Sequence, residues 1–213
     1  MKRWIIAALV STVMPATASA DDKSSWFHIA TSDPFAAPGE TAKPNGILVF
    51  GGAYTAETAG GSWPWTSPDY TDDYFIGGAY TRNVFDLPLG FALGGEVGAS
   101  LRFGNTDASG EIWSGGRLSH AGIVLGNLNI APAVTLGLSA VSDTLPIEEE
   151  REELYDGTAT LLGYIGAELS FRVKTMPNVE LVYRLHHRSG GDGFFGDMHE
   201  GSNANALGVR IRF

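Results

Sequence analysis

Residues 89–103, LGFALGGEVGASLRF, place Leu89, Phe91, Leu93, Val97, Leu101 and Phe103 on odd positions. The even positions hold Gly90, Ala92, Gly94, Glu96, Gly98, Ser100 and Arg102. A strict period of two is the signature of a β-strand whose faces meet different surroundings. One face is apolar over its whole length, and the other is small or charged. A soluble sheet would carry Lys, Thr and Glu on its solvated face. Glycine, alanine and a few charges instead suit the crowded interior of a narrow barrel.

The same pattern extends in both directions. From 128 the even face carries Leu128, Ile130, Val134, Leu136 and Leu138, and the odd face Asn129, Thr135 and Ser139. From 158 the odd face carries Leu161, Ile165, Leu169, Phe171 and Val173, opposite Tyr164, Glu168, Ser170 and Arg172. These runs exceed the usual soluble strand of about 5–6 residues. They suit membrane strands of about 9–11 residues that continue beyond the bilayer. The reading predicts about eight strands, near 46–55, 72–83, 89–103, 110–121, 128–142, 157–173, 178–189 and 203–213. Region 110–127 is the least regular, because Gly115, Gly116 and Gly122 interrupt it. The expected fold is all-β, a transmembrane antiparallel up-and-down barrel of the outer-membrane type.

Connections alternate in length, as in outer-membrane barrels. Short ones fall at 84–88 and 174–177, and long ones at 55–71, 142–156 and 190–202. The long set is expected outside the cell, with both termini in the periplasm. The chain ends on Phe213 with Val209 and Ile211 on the same face, like the closing strand of outer-membrane barrels. Parity places Glu96, Arg102, Glu168, Arg172, Glu180, Arg184, Arg210 and Arg212 in the lumen, where opposed charges should pair and fill it.

Met1, Lys2 and Arg3 precede a largely apolar stretch over 4–14, and Ala18, Ser19 and Ala20 follow. A basic, an apolar and a small-x-small segment make a secretory signal, expected over 1–20. An irregular periplasmic leader is expected over 21–45 and the barrel domain over 46–213. Removing Lys2 and Arg3 takes the formal charge from −10 to −12, a poor match to nucleic acid. There is no cysteine, hence no disulfide and no thiolate metal site. No run of about 20 apolar residues offers a membrane helix. The acidic stretch 147–153 reads as a solvated loop, with divalent cation binding as the sharper option. Trp63 and Trp65 read as interfacial anchors rather than a sugar platform.

One strand carries chemistry. Val179, Leu181, Tyr183 and Leu185 form an apolar stripe that ends in His187 and Ser189 on the same face. Nothing about packing against lipid asks for this pair. A serine hydroxyl needs a neighbouring base to act as a nucleophile, and His supplies one. A carboxylate must then fix the imidazole, and Glu200, thirteen positions on, is the nearest strong candidate. His199 is an alternative base.

His187 and Ser189, a glycine-rich loop, Glu200 and a closing strand to Phe213 resemble the lipid A 3-O-deacylase family of outer-membrane, acyloxyacyl hydrolase-like barrels. The specific likeness covers about 183–213; elsewhere it is architectural. It implies a triad of Ser189, His187 and Glu200 on the lipid-facing wall, cutting an ester-linked acyl chain from lipopolysaccharide with no cofactor or metal. Two features depart from the family pattern. Gly190 stands where the family has Asn, so the backbone N–H groups of Gly190 and Gly191 are the oxyanion candidates. The spacing from His to acid is about one residue short. Glu200 also has the parity that points inward, which keeps Asp197 and Asp192 as substitutes for the acid. The implied partners are lipid A and the outer membrane of a Gram-negative cell, and a homodimer is left open. The reading of a different class is a non-catalytic small outer-membrane barrel, a surface, adhesion or narrow porin-like protein.

Overall fold

A computed structural model describes residues 26–37, 43–105 and 107–213. The expected signal at 1–20 lies outside the described residues. Among the described residues ten strands form: β1 (Phe27–Ile29), β2 (Asn45–Thr55), β3 (Tyr70–Asp86), β4 (Phe91–Phe103), β5 (Ser109–His120), β6 (Ile123–Leu125), β7 (Leu128–Val141), β8 (Leu161–Val173), β9 (Val179–Ser189) and β10 (Glu200–Arg212). The eight long ones pair antiparallel in the order β2, β3, β4, β5, β7, β8, β9, β10, and β10 returns to β2. Closure leaves the long strands without a free edge. All eight expected strands are present, and β5 runs unbroken through Gly115 and Gly116. A side chain at Gly115 would stand 2.4 Å from the Leu136 carbonyl oxygen, so glycine there permits the cross-strand approach. β1, within the expected leader, pairs with β6 beside the short turns.

The outside is apolar. Ile47, Val49, Ile76, Leu93, Val97, Leu101, Ile112, Leu136, Leu181, Leu207, Val209 and Ile211 are all exposed. An apolar exterior around a polar interior inverts the water-soluble arrangement and suits a lipid surround. Nitroxides at Leu93 and Val97, in protein reconstituted into bilayers, should therefore collide freely with oxygen and be shielded from aqueous reagents. Aqueous accessibility at both would contradict this register.

The inside is largely filled, apart from a cavity at the short-turn end lined by Asp33, Arg117, Arg172, Glu180, Arg210 and Arg212. Phe50 meets Phe75 and Trp113 edge-on at 5.3 and 5.9 Å, and the Arg184 guanidinium lies 4.9 Å from the Phe50 ring centroid. Arg184 forks onto Glu96 at 2.8 and 2.6 Å and also binds Glu168. Glu168 further accepts from Arg117 at 2.7 Å and from Arg210 at 2.8 Å. Below this, Arg210 reaches Glu180 at 3.1 Å, and Arg172 and Arg212 each hold Asp33 at 2.8 Å. The lumenal charges predicted by parity are thus paired, and Glu111, Arg117 and Arg188 join them. Asp33 thereby ties the described residues 26–37 to the short-turn end.

The acidic stretch corrects the solvated-loop expectation. Pro146–Tyr155 is a helix, α1, and Glu148 is buried. Its carboxylate accepts from Leu145 N–H at 3.1 Å, closing the helix start. It also binds Arg102 at 3.0 Å, Ser202 at 2.7 Å, and Arg188. Two guanidinium partners offset much of the cost of burying the Glu148 carboxylate, and the acidic run forms a cap on the long-loop end.

Two of these carboxylates set an acid limit. Burial opposes ionisation of Glu148, but Arg188 and Arg102 outweigh it and hold the carboxyl below its usual range. At Asp33 burial is likewise outweighed, by the hydrogen bond from Arg172 and the charges of Arg212 and Arg172. A carboxyl depressed in the folded state adds stability that is complete above its unfolded pKa and is lost as pH falls through the folded value. Urea midpoints in micelles should hold from neutral pH down to about 5 and drop below about 4. Glu148→Gln should lower the neutral-pH midpoint and flatten that drop. An equally steep drop in the variant would contradict the assignment.

Candidate functional site

β9 turns Val179, Leu181, Tyr183, Leu185, His187 and Ser189 outward and Glu180, Val182, Arg184, His186 and Arg188 inward, as predicted. His186 binds Glu111 at 2.9 Å inside the barrel, and Arg188 binds Glu148, so both serve the lumen. On the neighbouring strands, Ile165 of β8 and Asn203 of β10 stand opposite His187.

A bulge settles the parity of Glu200. Ser189 pairs with Glu200 and His187 with Asn203, so the single residue Arg188 faces the two residues Gly201 and Ser202. Residues directly opposite in an antiparallel pair share a face. Glu200 therefore stands on the side of Ser189 despite its even number, while Ser202 turns inward to Glu148. One carboxylate oxygen of Glu200 is buried without a hydrogen-bond partner among the described residues. Burial weighs against a charged His187, and the Glu200 carboxylate favours it.

The upper outward face, expected to be lipid-facing, is partly covered: His187 is 6% exposed and Leu185 4%, while Ser189 stays half-buried. The connection 56–69 folds down over β10 and β9. Asn203 Nδ2 donates to the Glu57 carbonyl at 2.9 Å, Asn205 Nδ2 to the Ser62 carbonyl at 2.8 Å, and Tyr183 OH to Asn205 Oδ1 at 2.6 Å. Trp63 lies 6.5 Å from the Tyr183 ring and stacks on Trp65 at 4.9 Å, leaving Trp65 71% exposed.

His187 Nδ1 meets Asn203 Oδ1 at 2.5 Å. Ser189 Oγ donates to the His199 carbonyl at 3.3 Å and accepts from Gly191 N–H at 3.1 Å. Among the described residues no hydrogen bond joins His187 to Ser189. Gly190 has a steric reason to be glycine: a Cβ would fall 1.7 Å from the Met198 carbonyl oxygen. Gly191 takes φ +62°, a left-handed conformation that glycine adopts without strain. Of the substitutes, Asp192 pairs with His199 Nδ1 at 2.6 Å in an exposed cluster, and Asp197 sits in a left-handed turn at φ +58°.

The site thus brings together His187, Ser189 and Glu200 on one outward face, with Gly191 N–H on the serine oxygen. Sequence reasoning missed Asn203 and the Glu57 carbonyl. A signal was present, since Asn203 and Asn205 interrupt the outward stripe that Leu207, Val209 and Ile211 continue, as His187 and Ser189 interrupt theirs.

No protein-family model and no curated protein sequence matches the chain. Among solved structures, a de novo designed transmembrane β-barrel has a TM-score of 0.49 at 16% identity, covering 82% of this chain and 98% of its own. The outer membrane enzyme PagL has a TM-score of 0.48 at 13% identity, covering 79% and 99%. Neisserial surface protein A has a TM-score of 0.47 at 11% identity, covering 82% and 100%. These likenesses are of overall architecture, and the functional argument rests on this chain's own residues.

Proposed function

We propose that the chain is an outer-membrane esterase that removes one ester-linked acyl chain from lipid A. The observation that carries the reading is a serine, a buried histidine and a carboxylate gathered on the outward face of an otherwise apolar barrel wall. A substrate that diffuses sideways in a membrane leaflet meets that wall and never needs the filled lumen.

The chemistry follows from the groups present. Ser189 Oγ attacks the ester carbonyl carbon as its proton passes to His187 Nε2. The oxyanion forms beside the Gly190 and Gly191 N–H groups. Collapse breaks the bond from carbonyl carbon to sugar oxygen, and His187 returns the proton to that oxygen. Water, deprotonated by His187, then attacks the acyl-serine carbonyl carbon; the bond to Ser189 Oγ breaks, His187 returns the proton to that oxygen, and the fatty acid leaves. Glu200 favours the transient imidazolium by its charge. Before each transfer the Ser189 hydroxyl must turn from the His199 carbonyl toward His187, and catalytic hydrogen bonds often tighten only around substrate.

One observation favours the non-catalytic barrel: in the free protein the Ser189 hydroxyl is held by loop backbone, not by His187. An assay separates the two. Lipid A offered in detergent micelles should release hydroxy fatty acid at a rate proportional to protein. If no lipid A offered releases any, the esterase reading fails and the surface-protein reading takes its place.

A further inference from the structure

The imidazole of His187 is oriented by an amide rather than by a carboxylate. Asn203 is 0% exposed, stands directly opposite His187, and uses both ends of its side chain. Its Nδ2 donates to the Glu57 carbonyl at 2.9 Å, and its Oδ1 faces His187 Nδ1 at 2.5 Å. The opposite flip would set two acceptors against each other at Glu57, so the Glu57 carbonyl fixes which end the histidine meets. An acceptor at Nδ1 requires the hydrogen there, which leaves the lone pair on Nε2. That is the tautomer able to take a proton from a hydroxyl. Glu200 makes no hydrogen bond to His187 among the described residues.

We propose that Asn203 is the positioning residue of this site: its carbonyl oxygen, locked by the Glu57 backbone, sets the tautomer and orientation of His187, while Glu200 contributes charge alone. The consequence for catalysis rests on the esterase reading; the tautomer does not. The arrangement also ties the site to the 56–69 connection, since displacing Glu57 would free Asn203 to rotate.

Nitrogen-15 NMR of histidine-labelled, folded protein in micelles reads the tautomer without substrate, with His187→Gln identifying the signal. Wild type should carry its hydrogen on Nδ1 at pH values where the ring is neutral. Asn203→Leu should mix the tautomers and Asn203→Asp should restore Nδ1–H. Glu200→Gln should leave the tautomer unchanged. In the lipid A assay, Asn203→Leu should lower kcat about 10²–10⁴-fold, the scale of a wrong tautomer, with little change in KM. Asn203→Asp should recover much of that loss and move the acidic limb of the pH profile to higher pH, because a carboxylate favours the imidazolium and the base must be neutral.

An Nε2–H ring in wild type, or a Glu200→Gln protein that scrambles the tautomer, would overturn the assignment. Should Asn203→Leu fail to fold, wild type, Asn203→Asp and Glu200→Gln still decide it. If wild type releases no fatty acid while the tautomer depends on Asn203, the esterase reading falls and the positioning role stands.

Discussion

Replacing Ser189 with alanine should lower lipid A deacylation by about 10³-fold or more and leave a folded barrel. The acyl-enzyme step needs that oxygen. The fold barely does, because the hydroxyl makes two hydrogen bonds at a half-buried strand end, each worth about 0.5–1.5 kcal/mol. His187→Ala should match it, and the double variant should be no worse than either single one, since nucleophile and base act as a unit. Glu200→Ala should cost less. Initial rates of fatty-acid release give the activities, and heat-modifiable gel mobility reports the fold. A fully active Ser189→Ala would remove the nucleophile assignment even if the activity were real. A larger loss in Asp197→Ala than in Glu200→Ala would mean that the bulge does not deliver the acid.

The largest stability effect is expected inside. Glu168→Gln should cost about 3–5 kcal/mol, because it strands buried guanidiniums rather than removing a pair cleanly. Three arginines, Arg117, Arg184 and Arg210, converge on this one carboxylate. Glu96 still holds Arg184 and Glu180 still holds Arg210, but Arg117 keeps only a 4.0 Å approach to Glu96. Urea unfolding in micelles measures the loss. Glu149→Gln, on the exposed side of α1, is the control and should stay within about 0.5 kcal/mol. A Glu168→Gln shift no larger than the control would mean that the lumen is solvated rather than packed.

How legible this was depends on which interactions are local. The eight long strands were readable because each carries its own period of two, and a closed barrel keeps that period for ten residues or more. The lumenal charges followed from the same parity. The helix α1 was hidden because burial of Glu148 depends on Arg102 and Arg188, which are far away in sequence. Pro146 and Glu148 beside Leu145 were a local sign of a helix start that the run of acids outweighed. Counting parity failed at Glu200 for a physical reason. One extra residue on β10, marked by Gly201, shifts every position before it to the other face. The bulge removes the objection that the sequence raised against Glu200. Asn203 was missed because polar residues near a strand end read as ordinary rim, and only the pairing register sets it opposite His187.

The most direct test of the central claim is the mass spectrum of lipid A from Gram-negative cells carrying this protein in the outer membrane. Wild type should add a species lighter by one ester-linked hydroxyacyl chain, and Ser189→Ala at equal folded abundance should add none. Identical spectra from cells with the wild-type protein and cells lacking it would contradict the account.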